Sequence, residues 1–594
     1  MESDAPNWDL DSLCPGGPGG DTFATRRAGL QERLAALQQQ ISSLPPIAED
    51  PEAWIVALLE LDPLEDAVSE LSSFAGCAAA ADSRAREARS AEASADELRR
   101  ELDSILVAVE AALAEASPEA FEALLDTPSL QPAGPWLRHL RSGAALRLER
   151  SLQALKVSMD REAITGWGRL YDLLSGDLMG SLVADGEVRR VGIAELDALR
   201  AHPSPELRRA AYEGSSRAWH GIRDICAHTL TQLTGARQQL QDRLGIDEIT
   251  ESLYSNRLQP ETLDALWAGA DALRPSLVRY LERKATLLGK ERLDWFDRSA
   301  PLRGAGDASR LSWEHATATV TDAFRSLHPE LASFATDAIA RRWIDAAPAE
   351  GRRPGGFCTD LPQSRQSRIF MTFTGTMDNA LVLAHELGHA WHNDVLATQP
   401  ACRRKITNAL AETASTLAEA TVRDQVLSQA TDPASRAFML DQELQAAVAF
   451  LMDIPARFAF ERQLFVLRRR GVFDADELSV AMVETQRRAY GDALGSWDPT
   501  FWCSKLHFYI PEFGFYNWPY TFGYLFSAAV YARARAEGPA FFDTLRDLLR
   551  RTGYQSSETL AGETLGVDLT DPAFWCEAAR PIEARVEAFL EATG

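Results

Sequence analysis

Two histidines one helical turn apart, with a glutamate beside the first, are the residues of this chain best placed to do chemistry. His385, Glu386 and His389 stand in the run LVLAHELGHAWHN, Leu381 to Asn393. Residues four apart on a helix share a face, so both imidazoles can meet one metal ion. The intervening glutamate then faces a water beside that ion. Zinc acidifies such a water, and a carboxylate there can take its proton as the oxygen attacks a peptide carbonyl. The plainer reading is a surface helix with two solvated histidines. Against it, Leu383, Ala384, Leu387 and Gly388 make this a mostly apolar helix fit for tight packing. Two imidazoles and a carboxylate are costly to bury there without a metal or partners.

A catalytic zinc usually takes three protein ligands and leaves a position open. His392 is not the third. The extended pattern H-E-x-x-H-x-x-G-x-x-H requires glycine at 392 and histidine at 395, where this chain has His392 and Val395. The carboxylates that follow, before Asp424, are Asp394, Glu412 and Glu419. Asp394 is too close along the same helix to turn back. Asn408 to Glu419 (NALAETASTLAE) reads as the next helix, with Glu412 and Glu419 seven apart on one face. Glu412 is the best third ligand. Glu419 reads equally well as an acceptor that orients an imidazole N–H or as a plain ion-pair partner.

These side chains need a scaffold, and the chain around them is largely helical in pattern. Leu30, Leu34, Leu37 and Ile41 recur at the spacing of one buried helix face, and Pro45 and Pro46 end that helix. Further helices are expected at about 52–80, 82–116 and 117–126. The pattern loosens over 129–203, where Gly180 to Gly192 reads as a short hairpin. A boundary near 195–205 divides a helical N-terminal lobe, 1–200, from a catalytic domain, 201–594. Gly351 to Phe373 is extended, and its last part, Arg368 to Phe373, is rich in strand formers immediately before the metal motif. The expected fold is mainly α, with a small β-sheet beside the HExxH helix.

Composition narrows the partners. With 61 basic against 86 acidic residues the formal net charge is -25, which disfavours nucleic acid and anionic membranes. No apolar run approaches the ~20 residues that span a bilayer. Met1 to Asp21 lacks the basic and apolar regions of a secretory leader. The seven cysteines are scattered singly and read as reduced thiols. A cytoplasmic protein is expected, monomeric or a small homo-oligomer.

Three segments carry a resemblance to a known family. They are GGFCTDLPQSRQSRIFMTFTGTMDNALVLAHELGHAWHN from Gly355, then AETASTLAE from Ala411, then KLHFYIPEFGFYNWPYTFGYLFSAA over 505–529. In this order they resemble the oligoendopeptidase F branch of the thimet oligopeptidase-like zinc peptidases, over roughly 200 to 590. The resemblance implies a two-lobed helical metallopeptidase with a deep substrate channel, one zinc ion per chain, and short peptides as substrates. It implies zinc ligation by His385, His389 and Glu412, with Glu386 as general base. His507 and Tyr516 match a histidine and a tyrosine that stabilise the tetrahedral oxyanion in the family, and Tyr520 and Tyr524 match further tyrosines of that segment. The run Gly355 to Phe373 resembles the family's active-site edge strand. The function so implied is a zinc-dependent endopeptidase of oligopeptides. The alternative is a zinc carboxypeptidase built on the same kind of helical metal site.

Overall fold

A computed structural model describes residues 4–184, 186–302 and 311–594. They form a mainly helical protein with two small sheets. The chain falls into two compact units, each assembled from three segments: 1–145, 308–426 and 530–566 in the first, 146–307, 427–529 and 567–594 in the second. Division by chain order and division by compactness therefore describe different things here.

In the first unit the N-terminal helices follow their apolar spacing. Phe23, Leu30, Leu34, Leu37 and Ile41 are the buried residues of helix Asp21–Ser43. The run expected as one helix over 52–80 is two, Pro51–Leu59 and Leu61–Ala81. Pro63 gives the reason: it lacks an N–H, and its ring clashes with the carbonyl four residues back, at Leu59. The expected helix over 82–116 starts at Arg86 and ends at Glu115, and a short helix, Pro118–Leu125, is capped by Ser117 accepting from the Ala120 N–H. These helices share one apolar core that reaches Leu361.

Leu361 belongs to a three-stranded sheet in the same unit, of order β3–β5–β4. β3 (Ile344–Asp345) runs parallel to β5 (Gln366–Phe370), and β4 (Phe357–Leu361) pairs antiparallel with β5, Phe357 opposite Phe370. β4 is an edge strand. Phe370 buries against Trp8, Cys77 and Ala80, and Arg352 ties the sheet's end by donating to the Asp345 carboxylate at 2.6 Å and to the Met371 carbonyl at 2.6 Å. Six residues link β5 to the helix Met377–Leu396, so the sheet sets where that helix begins.

The second unit holds the hairpin expected over 180–192, β1 (Met179–Ala184) with β2 (Glu187–Gly192). Its other elements are helices, the long ones including Pro205–Leu244, Pro260–Leu287, Ile454–Arg470 and Pro572–Thr593.

Candidate metal centre

The helix Met377–Leu396 opens with a capping box, in which Thr376 accepts from the Asn379 N–H and the Asn379 side chain accepts from the Thr376 N–H. That reciprocal pair satisfies two backbone donors and fixes the helix start. Ala380, Leu383, Ala384, Leu387 and Ala390 bury its inner side. His385 and His389 project together, their rings 4.9 Å apart and steeply inclined.

The following segment brings a carboxylate to them. The helix expected over 408–419 exists in two pieces, Asn408–Ala411 and Thr413–Gln429, meeting at Glu412 with φ -84 and ψ 0. Those angles tighten the turn at this residue, and the Glu412 carbonyl still accepts from the Thr416 N–H at 3.0 Å. Gly388 explains how close the two helical segments come. A Cβ on Gly388 would lie 2.6 Å from the Ser415 Cα and 2.7 Å from the Ala414 carbonyl oxygen, so any side chain here would push the segments apart. Gly388→Ala is therefore expected to cost about 1–3 kcal/mol of stability by overpacking and to weaken metal binding, measured by urea unfolding and by chelator competition. Unchanged values for both would refute the close-crossing role.

The result is a convergent donor set. Glu412 Oε2 lies 3.2 Å from His385 Nε2 and 3.4 Å from His389 Nε2. Four donors at zinc's bond lengths of about 2.0–2.1 Å form a tetrahedron whose edges are about 3.3 Å. His385, His389 and Glu412 are the one such group of three found among the described residues. All three are partly exposed, as an open coordination position requires. His385 donates its other ring N–H, Nδ1, to Glu419 Oε2 at 3.3 Å, which turns Nε2 toward Glu412. Glu419 is in turn held by Arg423.

The electrostatics favour a cation. Burial alone would lower the His385 pKa, but hydrogen bonds to Glu412 and Glu419 outweigh it and hold the imidazole up at about 10. Burial works against the ionised Glu412 too, yet the two histidines pull its carboxyl well below the usual range. A proton held that firmly marks a spot where positive charge is wanted, and a metal ion can replace it.

Glu386 sits beside this set and is only 6 % exposed. Burial raises its pKa, with the neighbouring imidazoles opposing. Its Oε2 has no hydrogen-bond partner among the described residues, so it is free to receive a proton. Gly356 keeps the ground beside it clear, since a Cβ there would lie 3.5 Å from Glu386 Oε1. His392 points elsewhere, its Nε2 2.8 Å from the Thr552 hydroxyl and 3.2 Å from the Leu549 carbonyl. Burial lowers it to about 3, and it is a neutral core histidine.

His507, Tyr516, Tyr520 and Tyr524 belong to the second unit. His507 and Tyr516 have ring centroids 5.5 Å apart, and Tyr516 and Tyr520 6.0 Å. Tyr524, one turn after Tyr520, stacks on Phe450. All four are partly exposed. Burial, with Arg457 and Lys505 adding to it, lowers His507 to about 4, so near neutrality it is an uncharged imidazole. The sequence marks Gly388 only as part of a tightly packable helix and Gly356 only as part of an extended stretch, and it offers no signal for Arg423. A glycine inside a run of helix formers, which costs about 1 kcal/mol against alanine, was the available signal for the first.

Comparison with known proteins places the chain in a family. The family model described as Peptidase family M3 matches residues 198–580. The chain is 24% identical over 346 residues to the oligopeptidase PepF of Bacillus subtilis (strain 168), an alignment covering 57% of this chain and 49% of that one. It is 26% identical over 338 residues to the chromosomal oligoendopeptidase F of Lactococcus lactis subsp. cremoris, covering 54% and 53%. The matched stretch thus spans about half the length of these relatives. The crystal structure of oligoendopeptidase-F from Enterococcus faecium superposes with a TM-score of 0.71 over 96% of this chain and 98% of that one, at 18% identity, and so shares its fold.

Proposed function

This chain belongs to peptidase family M3, and from that premise we propose that it cuts internal bonds of short peptides at a zinc ion held by His385, His389 and Glu412. The observation that carries the reading is the convergence of both imidazole Nε2 atoms on one Glu412 oxygen, with a buried Glu386 carboxylate beside them whose Oε2 has no hydrogen-bond partner among the described residues. No helix among the described residues is long and apolar enough to cross a membrane, and the relatives' names, oligopeptidase and oligoendopeptidase, describe action on peptides.

Zinc bound there would supply a Lewis acid that acidifies water and polarises a carbonyl. The chain's own groups do the rest. Glu386 Oε2 takes the proton of the attacking water, and its raised pKa suits it to pass that proton to the departing amine. Glu419 holds His385 in the tautomer that presents Nε2. β4, at the edge of its sheet, suits an extended peptide added as a further strand, which would read backbone and tolerate many side chains. His507 and Tyr516, with Tyr524 as the other tyrosine candidate, are assigned from the family resemblance as donors to the developing oxyanion. A neutral imidazole and a phenol are both competent for this.

The test uses purified full-length chain on a diverse peptide set, free and C-terminally amidated, read by mass spectrometry. Cleavage at internal bonds of both sets is expected, abolished by stripping the metal and restored by zinc. Hydrolysis surviving complete metal removal would sink the reading, and a strict need for a free C-terminus would replace it with a carboxypeptidase.

A further inference from the structure

The loop that precedes Tyr516 is held by charged side chains, buried Glu461 and half-buried Arg237, that have no part in the chemistry proposed above. Glu461, on helix Ile454–Arg470, is 2 % exposed. Its Oε1 accepts the Phe515 N–H at 2.6 Å, and its Oε2 has no hydrogen-bond partner among the described residues. Arg237, on helix Pro205–Leu244, donates to the carbonyls of Ile510 and, at 2.7 Å, of Phe513. Ser252 donates to the Phe515 carbonyl at 3.3 Å. Three elements thus hold the backbone of one loop, 510–515, from below.

The loop needs holding. Phe515 has φ 56, in the left-handed region that a residue with a Cβ adopts only under strain. Its ring is turned inward, between Phe458 at 5.5 Å and Phe465 at 5.7 Å. The next residue, Tyr516, is then presented toward His507. An apolar residue at 461 would serve the core better than a carboxylate whose second oxygen has no partner among the described residues, since burying an unsatisfied acceptor is unfavourable. A core position that keeps such a group while gripping a strained loop is organised around the loop.

We infer that Glu461 and Arg237 are positioning residues, which hold Phe515 in its left-handed turn so that Tyr516 is fixed against His507 for its part in peptide hydrolysis. This rests on the role given to Tyr516 above. Glu461→Met in the zinc-loaded full chain removes the acceptor and keeps the volume. It is expected to lower kcat on a quenched peptide by at least ~10-fold, the scale of a misplaced catalytic group, with KM little changed and the thermal midpoint unchanged or raised. Glu461→Gln keeps an acceptor for the Phe515 N–H and should hold kcat within ~3-fold. Arg237→Lys loses the fork that reaches two carbonyls and should fall like Glu461→Met, which keeps the test alive if that variant does not fold. On a Tyr516→Phe background the Glu461→Met loss should vanish, because residues acting through one group are not additive.

A full kcat in both Glu461→Met and Arg237→Lys overturns the inference. So does a loss that repeats undiminished on Tyr516→Phe, or a Glu461→Gln as crippled as Glu461→Met. If Tyr516→Phe alone keeps full activity, the role assigned to Tyr516 fails first and takes the inference with it.

Discussion

Glu386→Gln should leave a folded protein that binds zinc with near-parental affinity and hydrolyses peptides roughly 10²- to 10⁴-fold more slowly, the span a positioned general base contributes. The amide keeps the shape of the side chain but cannot take a proton at Oε2. The loss should fall on kcat, since Glu386 contributes no donor to the metal set. Stability gives a second readout. Burial raises the Glu386 pKa, so the unfolded chain ionises this group first as pH rises. Stability is therefore lost as pH climbs from the ordinary glutamate value through the raised one. In metal-free protein Glu386→Gln should remove that part of the pH dependence and unfold no more easily than the parent in urea. Parental turnover, or loss of metal, would refute the assigned role.

Glu412→Gln should cost at least ~100-fold in zinc affinity, because loss of an outer partner alone commonly costs 10–100-fold and this is one of three donors. Glu419→Gln should fall within that smaller range, through the freed His385 ring. Competition with a chromophoric chelator measures both. The pH dependence carries a sign. His385 is held at about 10 in the metal-free chain, so it is protonated at neutrality and must release that proton to coordinate. Affinity in the parent should rise with pH up to that value and metal uptake should release acid. In Glu412→Gln the imidazole loses its principal counter-charge, and the slope should flatten near neutrality. A variant with unchanged affinity and slope would remove Glu412 from the metal set.

The candidate donors were legible in the sequence because the chemistry dictates their spacing: i, i+4 for the imidazoles, and a short list of later carboxylates for the third. The β-rich run before the motif was equally plain, and β4 and β5 lie where it pointed. The rest depends on contacts that no local pattern encodes. Pro63 is the exception, a local signal that splits a helix whose apolar period runs through unbroken. Gly388 looks like any small residue of an apolar helix until Ser415 is seen against it. Glu461 stands in PARFAFERQLFVLRRR, among charges that read as a solvated face, yet its side chain turns inward to a loop 54 residues away.

The three-segment make-up of the first unit has a consequence for how the protein is made. His392, on the back of the metal helix, finds its hydroxyl partner in Thr552, and the Trp391 ring lies against Phe542. Both contacts come from the segment 530–566. During synthesis the histidine pair and Glu412 leave the ribosome more than a hundred residues before that segment does, roughly 6 to 24 seconds at usual elongation rates. Over that interval the metal helix carries an uncovered tryptophan and an unpaired imidazole. The nascent chain thus has its candidate ligands in hand well before it has the packing that steadies them.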